Sequence, residues 1–279
     1  SGTTQSVPSN QVTKGLKMLE DGMTRFPTPD FEGVIPPPRR KLPDIPGPEI
    51  SEDDAVRIAM EFLGFSLQEG AKGEVIARIS SEPESYRVEI TPARGRSPAA
   101  WADISVRGGK VLWTFRDTPV GAETITPDMA VNVAREFLAS HGFENMRLIS
   151  RRDYQGVAAI GFAYEQDGVV IYPDYVVVRV SLAGGDIDGF EGTNYQIFHR
   201  ARPLEAPVIS EAEAREGLNP RLEVTDSRLA VILDDFYQEK LVYEFRCTLD
   251  KDTYLVYINA ETGEEEEVKK AEIRGLELV

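Results

Sequence analysis

Ile50-Ser-Glu-Asp-Asp-Ala-Val-Arg-Ile-Ala-Met-Glu-Phe-Leu63 returns twice in altered form, as Ile125-Thr-Pro-Asp-Met-Ala-Val-Asn-Val-Ala-Arg-Glu-Phe-Leu138 and as Ile209-Ser-Glu-Ala-Glu-Ala-Arg-Glu-Gly-Leu-Asn-Pro-Arg-Leu222. The copies start 75 and then 84 residues apart, too far for a solenoid unit and too close for a large enzyme domain, so each reads as one small module. The start of each copy has the chemistry of a helix N-terminus. Ser51 with Asp54 and Ser210 with Glu213 pair a capping hydroxyl with an acid three residues on, and Thr126 precedes Pro127 at the first helical position. Ala55, Ile58, Ala59, Phe62 and Leu63 then form one apolar stripe, which Ala130, Val133, Ala134, Phe137 and Leu138 reproduce. The third helix holds Gly217 and Pro220, which oppose helix by about 1 and about 3 kcal/mol against alanine, and is expected to be short or distorted at its end.

Those stripes need a sheet, and alternating segments follow each helix. In the first copy these are Tyr86, Val88 and Ile90, then Ala102, Ile104 and Val106, then Val111, Trp113 and Phe115 after Gly108-Gly109. The second copy gives Ile160, Phe162 and Tyr164, then Val176 to Leu182, Gly184-Gly185 and a strand near Ile187. The third gives Leu241 to Cys247, Tyr254 to Ile258, Thr262-Gly263 and a strand leading to Val268. Period two with one polar face describes antiparallel sheets covered on one side. The helix start and the turn glycine lie 59, 60 and 54 residues apart in the three copies, a shared fold in each. The fold class expected is α+β: a spacer over 1–49, then helix-on-sheet modules over 50–118, 125–207 and 208–279, each with a modest core.

Composition narrows the partners. The net charge is −16, which repels nucleic acid and anionic membrane surfaces. Residues 209–279 hold 18 Asp and Glu against nine Lys and Arg, so −9 of that charge belongs to the last module. A single Cys247 permits no internal disulfide, and two separated histidines give no ordinary zinc constellation. No apolar run is long enough to span a bilayer, and Ser1-Gly2 in place of Met reads as an engineered or a processed end, so any signal or anchor is expected outside this sequence. Leu16, Leu19 and Met23 mark a short amphipathic helix, the remnant of a further domain, and the proline-rich stretch 26–49 reads as a stiff extended spacer.

Capped helix, antiparallel strands and glycine hairpin, each copy opening with Ile-[Ser/Thr]-x-x-x-Ala, resemble the PepSY domain. Three copies behind a proline-rich lead resemble the C-terminal part of the YpeB family of spore germination proteins. The stretches that carry this are Ile171-Tyr-Pro-Asp-Tyr-Val-Val-Val-Arg-Val180, Gly189-Phe-Glu-Gly-Thr-Asn-Tyr195, Arg228-Leu-Ala-Val-Ile232 and Asp252-Thr-Tyr-Leu-Val-Tyr-Ile-Asn-Ala260. The Phe26-Pro-Thr-Pro29 segment resembles the family's junction with its N-terminal domain. The resemblance implies a non-catalytic regulator without catalytic residues or cofactor, extracytoplasmic, on the outer side of the spore inner membrane or in the cortex region. It implies a cortex-lytic enzyme of the SleB type as partner, each protein needed for the other's presence in the dormant spore. PepSY domains of protease propeptides imply inhibition.

Candidate sites are weighed against structural roles. Asp186 and Asp188 flank Ile187 on one strand face, about 7 Å apart, and can be read as paired carboxylates of a glycan hydrolase or as acids of an exposed hairpin. Asp250 and Asp252 read as a solvated turn, Cys247 as a buried apolar residue, His141 as a cap for the last carbonyls of the second helix, and Trp113 as part of the first core. His199, beside Arg200 in a linker, offers no evident chemistry. Tyr172, Pro173, Asp174 and Tyr195 are placed at strand ends or loops, as partner anchors or as seals between modules. Glu264, Glu265, Glu266 and Glu267 read as a charged closing strand that discourages aggregation or as a dock for a basic partner. The reading favoured is a protein that binds, stabilises and restrains a cortex-lytic enzyme; a protease-inhibiting array and a hydrolase remain the alternatives.

Overall fold

The structure, a computed structural model, describes residues 42–95, 97–118, 121–271 and 276–278. All of them belong to the compact unit Arg40–Val279. The expected remnant helix, the Phe26-Pro-Thr-Pro29 segment and most of the spacer lie outside the described residues.

Each copy opens with its capped helix. In α1 (Glu52–Phe62) the Ser51 hydroxyl accepts from the Asp54 amide at 3.1 Å, and in α2 (Pro127–Ser140) the Thr126 hydroxyl accepts from Met129 at 3.2 Å. In α4 (Glu211–Glu216) Ser210 and Glu213 form a reciprocal capping box, and the helix stops at Gly217 after six residues, as its composition requires. A fourth helix, α3 (Thr193–Phe198), is absent from the sequence reading.

Four strands follow α1: β1 (Lys72–Ile79), β2 (Ser85–Thr91), β3 (Ala100–Ser105) and β4 (Val111–Arg116). After α2 come β5 (Met146–Tyr154), β6 (Val157–Gln166), β7 (Val169–Ser181) and β8 (Ile187–Glu191). After α4 come β9 (Glu223–Leu233), β10 (Glu239–Leu249), β11 (Asp252–Asn259) and β12 (Glu265–Ala271). Within each copy the strands run as an antiparallel meander. The first strand of a copy escapes sequence reading because its alternation is interrupted: the ladder shifts register between Val75 and Ala77 in β1 and between Leu148 and Ser150 in β5.

The Ile that opens each copy and the distant turn glycine meet in space. The amides of Ile50, Ile125 and Ile209 donate to Val106, Leu182 and Ala260, the strand ends just before the hairpin turns, at 2.9, 3.2 and 3.1 Å. Gly109, Gly185 and Gly263 occupy the left-handed region at φ +59°, +83° and +77°, and a Cβ on Gly109 would stand 2.8 Å from Ile58 Cδ1. The constant helix-to-glycine distance in sequence is the length of chain needed to close this contact.

The three sheets are one sheet. β4 pairs antiparallel with β8, placing Thr114 opposite Phe190, and β7 pairs in parallel with β9 at Val170↔Ala230 and Ile171↔Val231. The main path is β1-β2-β3-β4-β8-β7-β9-β10-β11-β12, with β6 and β5 branching from β7. The chain's last strand, β13 (Leu276–Leu278), returns to pair with β5 at Ser150–Arg152.

The expectation of three separate cores is corrected accordingly. Ala55 and Ala59 of α1, Ala130, Ala134 and Leu138 of α2, and Val88, Ile104, Phe162, Val178 and Phe190 of the sheet belong to one apolar cluster spanning the first two copies. The third copy has its own, with Cys247 at 0% exposure beside Phe245, Val256 and Ile258 under Ala214. Trp113 is also corrected. Asp103 pairs with Trp113 and Ile104 with Val111, leaving Leu112 as a bulge residue that reverses the faces. Trp113 therefore lies outside the core, beside Phe115 at 6.3 Å with Arg87 over its ring, while Thr114 is turned inward. Leu112 packs with Ile197, Phe198 and Ile45, so the end of the expected spacer is docked rather than free-standing.

Candidate functional site

Tyr172, Pro173 and Asp174 are inside β7, not at a strand end. Tyr175 pairs with Ala163 and Ile171 with Tyr164, so the three intervening residues bulge out of the ladder with β6. A bulge accepts proline, which has no amide to donate, and it re-aims the neighbouring side chains. Asp174 is thereby driven into the interior at 0% exposure.

What neutralises it arrives from the segment after α3. Arg202 forks onto Asp174, Nη1 to Oδ2 at 2.8 Å and Nη2 to Oδ1 at 2.7 Å, and its Nε donates to Glu239 of β10 at 3.0 Å. Arg200 reaches the same Glu239 at 2.9 Å. The Gln166 side-chain amide pairs with the Arg202 backbone through bonds of 2.7 and 3.0 Å. Burial works against the Arg202 charge, but the bonds to Asp174 and Glu239 outweigh it and hold the pKa above the ordinary arginine value. His199, which offered no chemistry in sequence, sets Nδ1 2.8 Å from Asp174 Oδ2. Its ring is stacked on Tyr195 of α3 with centroids 4.2 Å apart, and Tyr195 meets Phe143 at 4.9 Å. Burial, with Asp174 nearby, pushes the Tyr195 phenol up to about 12.

A second buried group lies further along the same seam. The Tyr172 hydroxyl donates to Glu244 of β10, which is 1% exposed and takes Arg228 Nε of β9 at 2.8 Å. Tyr257 of β11 stands edge-on to Tyr172, with centroids 6.3 Å apart. Burial first, then the Glu244 charge, pushes both phenols above their usual range, so they stay neutral donors. Tyr172, Pro173, Asp174 and Tyr195 are thus brought together with Arg202, Glu239, Glu244 and His199 at the junction of the second and third copies. The last four were missed in sequence. The available signal was the cluster His199-Arg200-Ala-Arg202 in so acidic a chain, because positive side chains leading into a new module need acids to meet.

The acidic run is elsewhere. β12 ends the main path of the sheet, paired on one side with β11. Glu266 accepts from Asn259 Nδ2 at 2.6 Å and lies 3.8 Å from Lys240 Nζ, and Glu267 pairs with Lys269 at 2.8 Å. Glu264 and Glu265 are exposed, and so is Val268.

Asp186 and Asp188 are separated in environment. Asp186 is exposed, whereas Asp188 is buried, accepts from the Thr118 hydroxyl, and has its pKa raised by burial against the pull of Thr118 and Arg179. Two surface hollows of about 520 and 510 Å³ lie around Asn145, Arg147 and Glu165 and around Arg135 and Phe143, away from both carboxylates. Asp252 opens β11, opposite Leu249 at the end of β10, and pairs with Lys270 at 2.7 Å. Among the described residues, no group of three or more His, Cys, Asp or Glu is placed to hold a metal ion, and no helix is long and apolar enough to cross a membrane.

Capped helices laid on meander sheets and joined end to end define a tandem PepSY protein. Residues 12–205 match the family described as YpeB sporulation, PepSY1 and PepSY2 domains, and residues 208–269 match the PepSY family, described as peptidase propeptide and YPEB domain. The chain belongs to the YpeB sporulation family. It is 36% identical over 222 residues to the sporulation protein YpeB of Halalkalibacterium halodurans, covering 80% of this chain and 49% of that protein. It is 27% identical over 271 residues to the sporulation protein YpeB of Bacillus subtilis, covering 94% and 59%. The chain therefore spans about half the length of the curated relatives it matches. The solved Bacillus megaterium YpeB C-terminal domain is similar at 34% identity and a TM-score of 0.67, over 80% of this chain and 99% of that one. These relatives are named as sporulation proteins, not as enzymes.

Proposed function

We propose that this chain is the binding part of a non-catalytic spore germination protein that holds a cortex-lytic enzyme of the SleB type stable and restrained until germination, extracytoplasmically, at the outer side of the spore inner membrane or in the cortex region. Family membership supports the sporulation setting. The observation that carries a binding role is the acidic terminal strand: β12 leaves one side unpaired by any strand among the described residues and displays Glu264 and Glu265 there, in the most negative copy. Such an edge accepts an added strand, and its charge steers a basic one. Tyr172, Pro173, Asp174 and Tyr195 serve this role indirectly, by fixing the third copy against the second.

The test is capture of the purified hydrolase by this chain at rising salt, with Glu264, Glu265, Glu266 and Glu267 all changed to Gln in parallel. Removing these four charges, of which Glu264 and Glu265 are exposed and Glu266 and Glu267 half-buried, is expected to weaken capture by about tenfold and its salt dependence with it, while stability shifts by about 0.5 kcal/mol or less at each of the two exposed sites. Affinity indifferent to both salt and the substitutions would reject the acidic edge as the dock. A second reading, restraint of a peptidase, is favoured by the peptidase-propeptide description of the family matched by residues 208–269. Assaying proteases beside the lytic enzyme, with and without this chain, separates the two.

A further inference from the structure

Half of the large apolar side chains that stand exposed among the described residues belong to the third copy: Val208, Phe236, Tyr237 and Val268, against Leu67, Ile76, Met129 and Tyr154 in the first two. Phe236 and Tyr237 are neighbours at the tip of the β9–β10 hairpin, at 51% and 37% exposure. This hairpin is an arm. β10 pairs with β9 out to Glu239↔Leu233, whereas its pairing with β11 stops at Val242↔Asn259, so the rungs at Glu239, Lys240 and Leu241 reach past the end of β11.

The tip is held stiffly. Asp234 Oδ1 accepts from the amides of Phe236 and Gln238 at 2.8 and 2.9 Å. The Asp234 amide donates to the Gln238 carbonyl at 2.9 Å, and the Tyr237 amide to the Asp234 carbonyl at 3.0 Å. At the base of the arm Leu233 packs with Ile45, Leu112, Ile197 and Phe198, and the Tyr237 ring leans back on Phe198 with centroids 6.2 Å apart. Phe236 has no ring contact with another described residue. Tyr237 has φ +57°, in the left-handed region, where the other non-glycine residues of the described chain are Asn145, Gln155, Asp167 and Asp250. An aromatic residue there costs backbone strain that Asn or Gly would avoid, so the turn itself does not call for two rings at this tip.

The surroundings are acidic. Asp235 is exposed beside Phe236, and Glu261, Glu264 and Glu265 are exposed at the same end of the copy, where Lys240 of the arm faces Glu266 at 3.8 Å. The other cation near the arm, Arg200, is taken by Glu239. A projecting ring on a preorganised loop supplies contact area at little ordering cost, and a rim of one sign selects a partner of the other. The same acids disfavour an anionic lipid surface and a second copy of a chain whose net charge is −16.

We propose that Phe236, with Tyr237 beside it, is the apolar anchor of the partner interface and enters a pocket rimmed by Lys and Arg on the bound protein. This rests on the reading of the chain as a binding part, and it adds to the acidic edge of β12 a contact whose strength does not depend on charge.

Capture of the purified hydrolase by the wild-type chain, Phe236→Ala, Phe236→Leu and Asp235→Lys, at about 0.05 M and about 0.5 M salt, tests this. Phe236→Ala should weaken capture at least about tenfold at both salt concentrations, as loss of a buried aromatic anchor does. Phe236→Leu should keep most of the affinity, and neither change should move the melting temperature by more than about 2 °C, because the ring is already half exposed. Asp235→Lys should weaken capture at the lower salt only; no loss there removes the basic rim and overturns the assignment. Equal capture by wild type and Phe236→Ala overturns the anchor while the binding role stands, and so does a loss that vanishes at high salt. Failure of the wild type itself to capture the hydrolase removes that reading and the anchor with it. Sedimentation of the chain alone closes the test: a dimer that Phe236→Ala dissolves makes a second copy the occupant and overturns the proposal.

Discussion

The two junctions of this molecule differ in what is added to their apolar packing: the first is a large shared core, whereas the second sets buried ion pairs beside two smaller apolar clusters. The first joins copies one and two through an apolar core, with Phe190 at 1% exposure between Phe62, Phe137 and Phe143, and through three antiparallel residue pairs linking β4 to β8. The second joins copies two and three through two parallel pairs, two smaller apolar clusters around Val170, Ala230 and Val242 and around Val169, Ile171 and Val231, and buried ionic groups, Asp174 with Arg202 and Glu239, and Glu244 with Arg228 and Tyr172. Apolar contact is nondirectional and tolerates small shifts, so it fuses the first two copies into one cooperative body. Buried ion pairs are directional: their desolvation cost is offset only when every partner is in place, so they fix one orientation and fail sharply when a partner is lost.

The comparison is most severely tested by Phe190→Ala. Emptying that site is expected to destabilise the chain by about 3–5 kcal/mol, with hydrogen exchange accelerated in copies one and two together. Loss of protection confined to one of them would show that the shared core does not act as a unit. Next is Asp174→Ala, which strips Arg202 of its fork and leaves a buried charge, at a cost of about 3 kcal/mol. Protection should fall across the second junction and in copy three while copy one stays intact; a uniform loss would erase the distinction between the junctions.

The smallest effect concerns a buried carboxyl group at the first junction. Glu191 of β8 stands opposite Trp113, and burial raises its carboxyl pKa, partly offset by the Thr193 contacts. A raised carboxyl pKa means that ionised Glu191 costs stability near neutrality and that the cost disappears as pH falls through the folded value towards the unfolded one. Glu191→Gln should therefore be at least as stable as wild type near neutrality, with the advantage shrinking on acidification. Chemical denaturation across that range measures it, and an advantage that grows in acid would reverse the assignment.

Much of each copy was legible because its signals are local. Ser51, Thr126 and Ser210 are caps in the structure as their spacing indicated, and Cys247 is interior because it alternates with Tyr243 and Phe245. Trp113 was misplaced because the single extra residue Leu112 flips a strand's faces, and one sequence carries no mark of a bulge. The seam was half visible. Tyr172, Asp174 and Tyr195 stood out as polar-tipped or charged groups near apolar runs, but Arg202, Glu239 and Glu244 lie far from them in the chain and only their packing brings them together.

By itself the sequence determined the repeating unit: helix starts, alternation and the turn glycine are set by backbone chemistry within about one turn or one hairpin of each residue, and the surplus of acid in the last copy is a matter of composition. How the units join was decided only by tertiary structure. β4 meeting β8 and β7 meeting β9 are choices among strand edges that are alike in hydrogen-bonding capacity, settled by which buried side chains then find partners.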